Sequence, residues 1–175
     1  AGITGDDGPS HHGVLDMVLL SKVPDCTIFA PSNYAEVAQM LHDALELCTE
    51  GPSAIRYSKT MPPEGQTTTG SGLSARQVRA GQDVCLIGVG KMLAAAREAA
   101  TRLEQQGISA TVWDPRVVKP LDPEMLEDAA DHRLVITIED GLRDGGIGAS
   151  VADSLSQLAP TDGPSVRVLG VPTVH

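Results

Sequence analysis

The stretch GDDGPSHHG, residues 5–13, sets two carboxylates and two imidazoles between glycines with almost no apolar side chain. Asp7 and His11, four positions apart, form a pair that can hydrogen-bond hydroxyl and carbonyl oxygens, with an imidazole that moves protons near neutral pH. Small neighbours let a ligand come close to the backbone. The same composition also suits a solvated loop, and both readings stand on the residues alone. A metal is not expected at His11 and His12, because adjacent residues rarely bind one ion together and no further His or Cys sits at a ligand spacing.

A cation comes next. In AIRYSKT, residues 54–60, strand alternation puts Arg56 and Ser58 on one face, while Lys59 lies past the strand end and points toward the carboxyl edge of the sheet. Ligands of α/β folds collect at that edge. A lysine there in an acidic protein suits a phosphate or carboxylate, and a plain surface lysine fits the residues equally well. Two glycine-bearing strand ends carry less. LIGVGKM, residues 86–92, matches neither dinucleotide nor P-loop spacing and reads as a tight turn that lets a helix pack closely. EDGLRDGGIG, residues 139–148, reads as a structural loop or domain contact rather than as catalytic.

These residues need a scaffold, and the apolar pattern supplies one. CTIFAP is a short buried strand, and Asn33 with Glu36 makes a capping box for a helix whose apolar stripe is Val37, Met40, Leu41, Ala44 and Cys48. SAIRY returns as a second strand, so residues 1–60 hold a βαβ unit. One helix on two strands leaves an open face and an unpaired edge, which implies membership of a larger sheet. Residues 61–80, rich in Pro, Gly, Thr and Ser, read as a linker. From residue 81 to 175 the alternation resumes: DVCLIGVG, SATVWD, RLVITIED and VRVLGV as strands, with helices marked by Leu93, Ala96, Ala100 and Leu103, by the Asp122-Pro123 start, and by Ile147, Val151, Leu155 and Leu158.

The bulk properties bound the function. Over 175 residues the net charge is −10 with a pI near 4.8, and no Lys/Arg cluster offers the counterion release on which nucleic-acid binding depends. No apolar run of membrane-spanning length and no signal-peptide pattern occurs, so neither membrane nor nucleic acid is an expected partner and a cytosolic setting is the default. Aromatic residues make up only 2% of the chain, which leaves aliphatic side chains to fill the core. Cys26, Cys48 and Cys85 each sit in an apolar stretch and read as reduced core residues.

AGITGDDGPSHHGVLDM, GPSAIRYSK, DPRVVKPLD and TIEDGLRDGGIGASV, in this order and at these separations, closely resemble the 1-deoxy-D-xylulose-5-phosphate synthase family of the transketolase superfamily. The resemblance covers nearly the whole chain. It implies an α/β fold: the last part of a pyrimidine-binding domain at residues 1–60, then a three-layer α/β/α transketolase C-terminal-like domain at 81–175, truncated at its end. It further implies a thiamine diphosphate and Mg2+ enzyme that decarboxylates pyruvate and joins it to glyceraldehyde 3-phosphate, acting as a homodimer. Asp7 and His11 fall on the acidic and imidazole positions of the family's glycine-flanked turn, which imply catalytic contact with the acceptor's hydroxyl and aldehyde oxygens. Lys59 falls where many members carry an arginine for the acceptor phosphate, keeping the charge without the bidentate fork. Asp6 and His12 receive no catalytic role. The sequence has no G-D-G…N metal motif and no glutamate placed to activate the cofactor, so cofactor and Mg2+ are expected to be held mainly by an N-terminal part outside this sequence, without which the chain is inactive. Two alternatives stand beside this: a transketolase-type enzyme with a different acceptor, and a non-catalytic assembly module.

Overall fold

The computed structural model describes residues 2–59 and 69–173. The N-terminal turn leads into α1 (Asp16–Ser21), β1 (Thr27–Phe29), α2 (Tyr34–Leu47) and β2 (Ser53–Ile55). β1 and β2 pair in parallel, with α2 as the crossover, so the βαβ unit forms as the pattern predicts. Asn33 accepts a hydrogen bond from the Glu36 N–H at 3.2 Å. The return half of the cap shifts by one residue: Glu36 accepts from the Ser32 N–H and hydroxyl at 3.1 and 3.0 Å.

The remaining chain runs β3 (Arg76–Arg79), β4 (Val84–Gly88), α3 (Leu93–Glu104), β5 (Ala110–Asp114), β6 (Val117–Lys119), α4 (Pro123–Ala130), β7 (Leu134–Leu142), α5 (Ile147–Leu158) and β8 (Ser165–Val171). Five of these strands form one sheet in the order β3-β5-β4-β7-β8, all parallel except the edge strand β3. Period-two alternation divides β4 between two layers. Val84 and Leu86 pack with Leu93, Ala96 and Ala100 of α3. Cys85 and Ile87 face the other way, with Met125 and Leu126 of α4 and Ile147, Val151 and Leu155 of α5. The result is the three-layer α/β/α arrangement expected from the sequence.

Local features follow the residues that specify them. Asp122 caps α4 by accepting from the Glu124 and Met125 N–H groups at 2.8 and 3.4 Å, ahead of Pro123, which has no N–H to lose. Gly88 sits so close to α3 that a Cβ would lie 2.7 Å from Leu93 Cα, in accord with the close-packing reading of that glycine turn. Cys26 and Cys85 are buried and Cys48 is half-buried, each as a free thiol.

Three features depart from the expectations. β3 forms inside the stretch read as a linker; its residues are polar because it pairs only at the sheet edge. β6 leaves the second sheet's connectivity and pairs antiparallel with β1, giving a three-stranded sheet β2-β1-β6 that joins the two segments. On α2, Met40 and Ala44 are buried as expected, but Leu41 is 52% exposed, and Glu36 and Asp43 take the inner face. Among the described residues the outer edge of β2 pairs with no strand.

Candidate functional site

The turn at residues 2–13 is built by glycines. Gly2, Gly5 and Gly8 have φ of 63°, 69° and 78°, the left-handed region that side chains resist. Short 3-10 turns at Gly5–Asp7 and Pro9–His11 fold between them, with no buried residue in either. The ends close through the Gly13 N–H, which donates to Gly2 O at 2.9 Å. His12 works inward: its Nδ1 accepts from the Thr4 N–H at 3.2 Å and lies 3.1 Å from the Thr4 hydroxyl, so this imidazole braces the turn. His11 is exposed, with Nδ1 3.1 Å from the Ser10 hydroxyl.

The structure brings two of the three sequence candidates into contact. The Lys59 ammonium pairs with the Asp7 carboxylate across 52 positions of chain, and the hydrogen bond from Lys59 holds Asp7 below the ordinary carboxylate range. His11 stands on the same turn. Lys59 itself is carried by the chain leaving β2, where the Tyr34 hydroxyl lies 3.4 Å from Ser58 O and 3.5 Å from Lys59 O. The result is an exposed cation beside a carboxylate, on a turn that also carries an imidazole, suited to a small oxygen-rich anion.

Beneath the turn lies a buried charge cluster that the sequence alone does not single out. Arg56, directly after β2, donates to Asp16 at 3.2 Å and pairs with Asp140 of β7. Lys91, just past β4, stands 3.1 Å from the other Asp140 oxygen, an ion pair without hydrogen-bond alignment, and donates to Ile3 O at 2.9 Å. Three strand ends thus converge under one turn. The available signal was a lysine in a glycine turn at a carboxyl sheet edge. The neighbouring Glu139 does something different. It accepts from the Ile147 and Gly148 N–H groups at 3.3 and 2.8 Å and caps α5, whose own cap residue, Gly146, has no side chain to do so. Burial raises the Glu139 carboxyl above its usual range despite these bonds. The structural and domain-contact reading of that strand end therefore agrees with the geometry.

Cys85, Asp128 and His132 offer ligand atoms within 4.8 Å of one another. Their polar atoms are already engaged: His132 Nε2 with the Thr111 hydroxyl at 3.0 Å, Nδ1 with Asp128 O at 2.8 Å, and Asp128 Oδ2 with the Trp113 indole N–H at 2.6 Å. Burial pushes the Cys85 thiol up to about 12, so the cluster is a satisfied core network. Beside the turn, Asp7 and Asp140 are committed to Lys59, Arg56 and Lys91. Asp140 is sealed between two cations and Asp7 faces a lysine, so this set offers no group of free carboxylates for the Mg2+-diphosphate end of a thiamine cofactor.

The family profile described as "Transketolase, C-terminal domain" matches residues 73–175, and "Transketolase, pyrimidine binding domain" matches residues 1–64. The chain belongs to the transketolase family. Within it, this transketolase-family chain is 40% identical over 177 residues to 1-deoxy-D-xylulose-5-phosphate synthase of Magnetococcus marinus, covering 98% of the chain and 28% of that relative. It is 41% identical to 1-deoxy-D-xylulose-5-phosphate synthase 2 of Kitasatospora griseola, covering 98% of the chain and again 28% of the relative. The chain therefore spans little more than a quarter of these relatives. Among solved structures, one described as "Split gene transketolase, inactive beta4 tetramer" superposes with a TM-score of 0.84 at 33% identity, over 94% of this chain and 54% of that one. A Pichia stipitis transketolase at 19% identity and a TM-score of 0.65, over 77% of this chain and 21% of that one, shares the fold. No helix among the described residues is long and apolar enough to cross a membrane.

Proposed function

We propose that the chain supplies the acceptor-binding side of a thiamine diphosphate-dependent 1-deoxy-D-xylulose-5-phosphate synthase, which condenses pyruvate with glyceraldehyde 3-phosphate and releases CO2. The observation that carries this reading is the Asp7–Lys59 pair on an exposed turn shared with His11. In the reaction Lys59 takes the acceptor phosphate, leaving Asp7 to accept a hydrogen bond from the acceptor hydroxyl. His11 donates a proton to the aldehyde oxygen as the new carbon–carbon bond forms. An exposed pair such as Asp7–Lys59 is weakly held, so a phosphate dianion displaces the carboxylate readily.

The cofactor supplies the electron sink for the decarboxylated pyruvate, and it is held with Mg2+ by polypeptide beyond this chain. On this reading the enzyme is a cytosolic homodimer. This chain alone is inactive, as is the structural neighbour described as an inactive split-gene transketolase. The test is product formation from pyruvate and glyceraldehyde 3-phosphate, with thiamine diphosphate and Mg2+, by this chain joined to the complementary N-terminal region of a relative. An inactive assembly that is folded and binds the cofactor overturns the proposal, and ketol transfer without preference for a phosphorylated aldehyde changes the acceptor.

A second reading, an assembly module, draws on the exposed stripe Tyr34, Leu41 and Leu45 of α2, at 40%, 52% and 75% exposure. Ile147 and Val151 are core residues at 2% and 0%, so substitutions there test folding rather than association. Asp7→Asn or His11→Ala leaving a reconstituted activity intact would favour this second reading.

A further inference from the structure

The candidate site lies entirely in the first segment, yet its floor comes from the second. Gly2 rests against Asp140 so closely that a Cβ there would overlap both the Asp140 carboxylate and the Arg56 guanidinium. The Lys91 ammonium crosses 88 positions of sequence to donate to Ile3 O, one residue further along the turn. Asp140 is 3% exposed and lies between Arg56, also 3% exposed, and Lys91, 24% exposed. The carboxylate is thus neutralised from two sides, as a buried charge must be. Arg56 stands three residues before Lys59 on the chain leaving β2. The same cluster therefore fixes both approaches to the site: Gly2 and Ile3 ahead of Asp7, and Arg56 ahead of Lys59. The Leu142 N–H adds a contact to Val14 O at 3.0 Å, on the far side of the turn.

We infer that Lys91 and Asp140 of the C-terminal domain are positioning residues for acceptor recognition, holding the Asp7–His11 turn and the Lys59 arm in register through Ile3, Gly2 and Arg56. This rests on the acceptor-site reading above. Neither residue touches the acceptor. Their effect travels through a backbone carbonyl and a guanidinium, and a shift of the turn on the order of 1 Å is large in catalytic terms. Of the two, Lys91 is the better probe, since it is part-exposed and stands at the edge of the cluster, whereas loss of the buried Asp140 leaves the buried Arg56 with only Asp16 as a carboxylate partner among the described residues.

Two measurements on Lys91→Met and Lys91→Arg separate this inference from the functional reading. The first is hydrogen exchange on the present chain. Lys91→Met speeds exchange at the Thr4 and Gly13 amides by about five-fold or more while β4 and β7 amides stay protected, and Lys91→Arg restores the slow rate. Unchanged exchange in Lys91→Met overturns the anchor whether or not any enzyme assembles. The second is kinetic, on this chain joined to the complementary cofactor-binding region. Lys91→Met raises KM for glyceraldehyde 3-phosphate on the order of ten-fold with KM for pyruvate unchanged, and Lys91→Arg recovers it. Equal changes in both KM values, or a fall in stability with neither KM moved, overturn the positioning role. A wild-type assembly without activity overturns the functional reading, and with it the role in acceptor recognition, while the exchange result still decides the anchor.

Discussion

Arg116 donates from Nε to Glu36 at 3.2 Å, and both side chains are essentially sealed from solvent at 1% and 0% exposure. The bond joins α2 to the residue between β5 and β6, and so ties the two segments together from within. Arg116 Nη1 adds the carbonyls of Ser71, Gly72 and Ser74 at 3.2, 3.3 and 2.8 Å, which fixes the chain that enters β3. Removing one partner of such a pair leaves the other buried and charged. Arg116→Met is therefore expected to destabilise the chain by about 3–5 kcal/mol, read from the urea midpoint at constant m-value. A shift within experimental scatter would mean that the pair carries no net stability.

Asp114 gives a pH signature with an unusual sign. Burial, reinforced by the Glu36 charge, raises its carboxyl from 3.8 to about 6, against the opposing bonds from Ser32 and Arg76. The folded state thus binds this proton more tightly than the unfolded chain, so stability from this group rises as pH falls from above 6 toward 4. Asp7, Asp16 and Asp144 are shifted downward, and their losses on acidification fall below about 4, outside that window. Unfolding followed between about pH 7 and 4.5 should show the chain gaining stability. Glu139, also raised by burial, acts with the same sign, so Asp114→Asn should make the curve shallower without abolishing it; a parallel curve in the variant removes Asp114 as a source.

How α2 packs shows what is legible in the sequence. The helix itself is readable from Asn33, Glu36 and the apolar recurrence, because capping and periodicity are local. The centre of the inward face, Met40 and Ala44, is legible too; its edge is not, since Arg116, 80 positions away, draws Glu36 inward while Leu41 stays outside. The same division runs through the site. The glycine-flanked turn declares itself in its own residues, whereas the reach of Lys91 to Ile3 and the pairing of Asp7 with Lys59 arise only when distant strand ends meet. β3 and β6 are hidden for the same reason: each is short, and its pairing is settled by a partner strand rather than by its own pattern.

Glu139 supplies a cap from outside its helix, so its loss should be felt at α5. Glu139→Ala removes the acceptor for the Ile147 and Gly148 N–H groups and is expected to cost about 1–2 kcal/mol. Glu139→Gln keeps one of the two acceptor oxygens and relieves the burial of a charge, at the cost of an NH2 facing the other N–H, so it should cost less than alanine. Thermal unfolding of both variants checks the order; a larger loss for the glutamine would mean that the single acceptor it keeps does not offset the lost charge and the donor set against an N–H.

On the acceptor-site reading, Lys59 and Asp7 should respond in opposite directions when the phosphorylated acceptor binds. Lys59→Ala removes the cation that pairs with Asp7, and should raise KM for glyceraldehyde 3-phosphate roughly ten- to a hundred-fold, the range of a charge-assisted hydrogen bond. Lys59→Arg should lower it, since a guanidinium grips two phosphate oxygens at once. Asp7→Asn frees the lysine from its competitor, so KM for the phosphorylated acceptor should fall even as kcat drops through loss of the hydroxyl contact. Steady-state kinetics of the assembled enzyme, varying each substrate in turn, reads all three. If Asp7→Asn raised KM as much as Lys59→Ala, the pair would act as one binding unit, and displacement of the carboxylate by phosphate would be wrong.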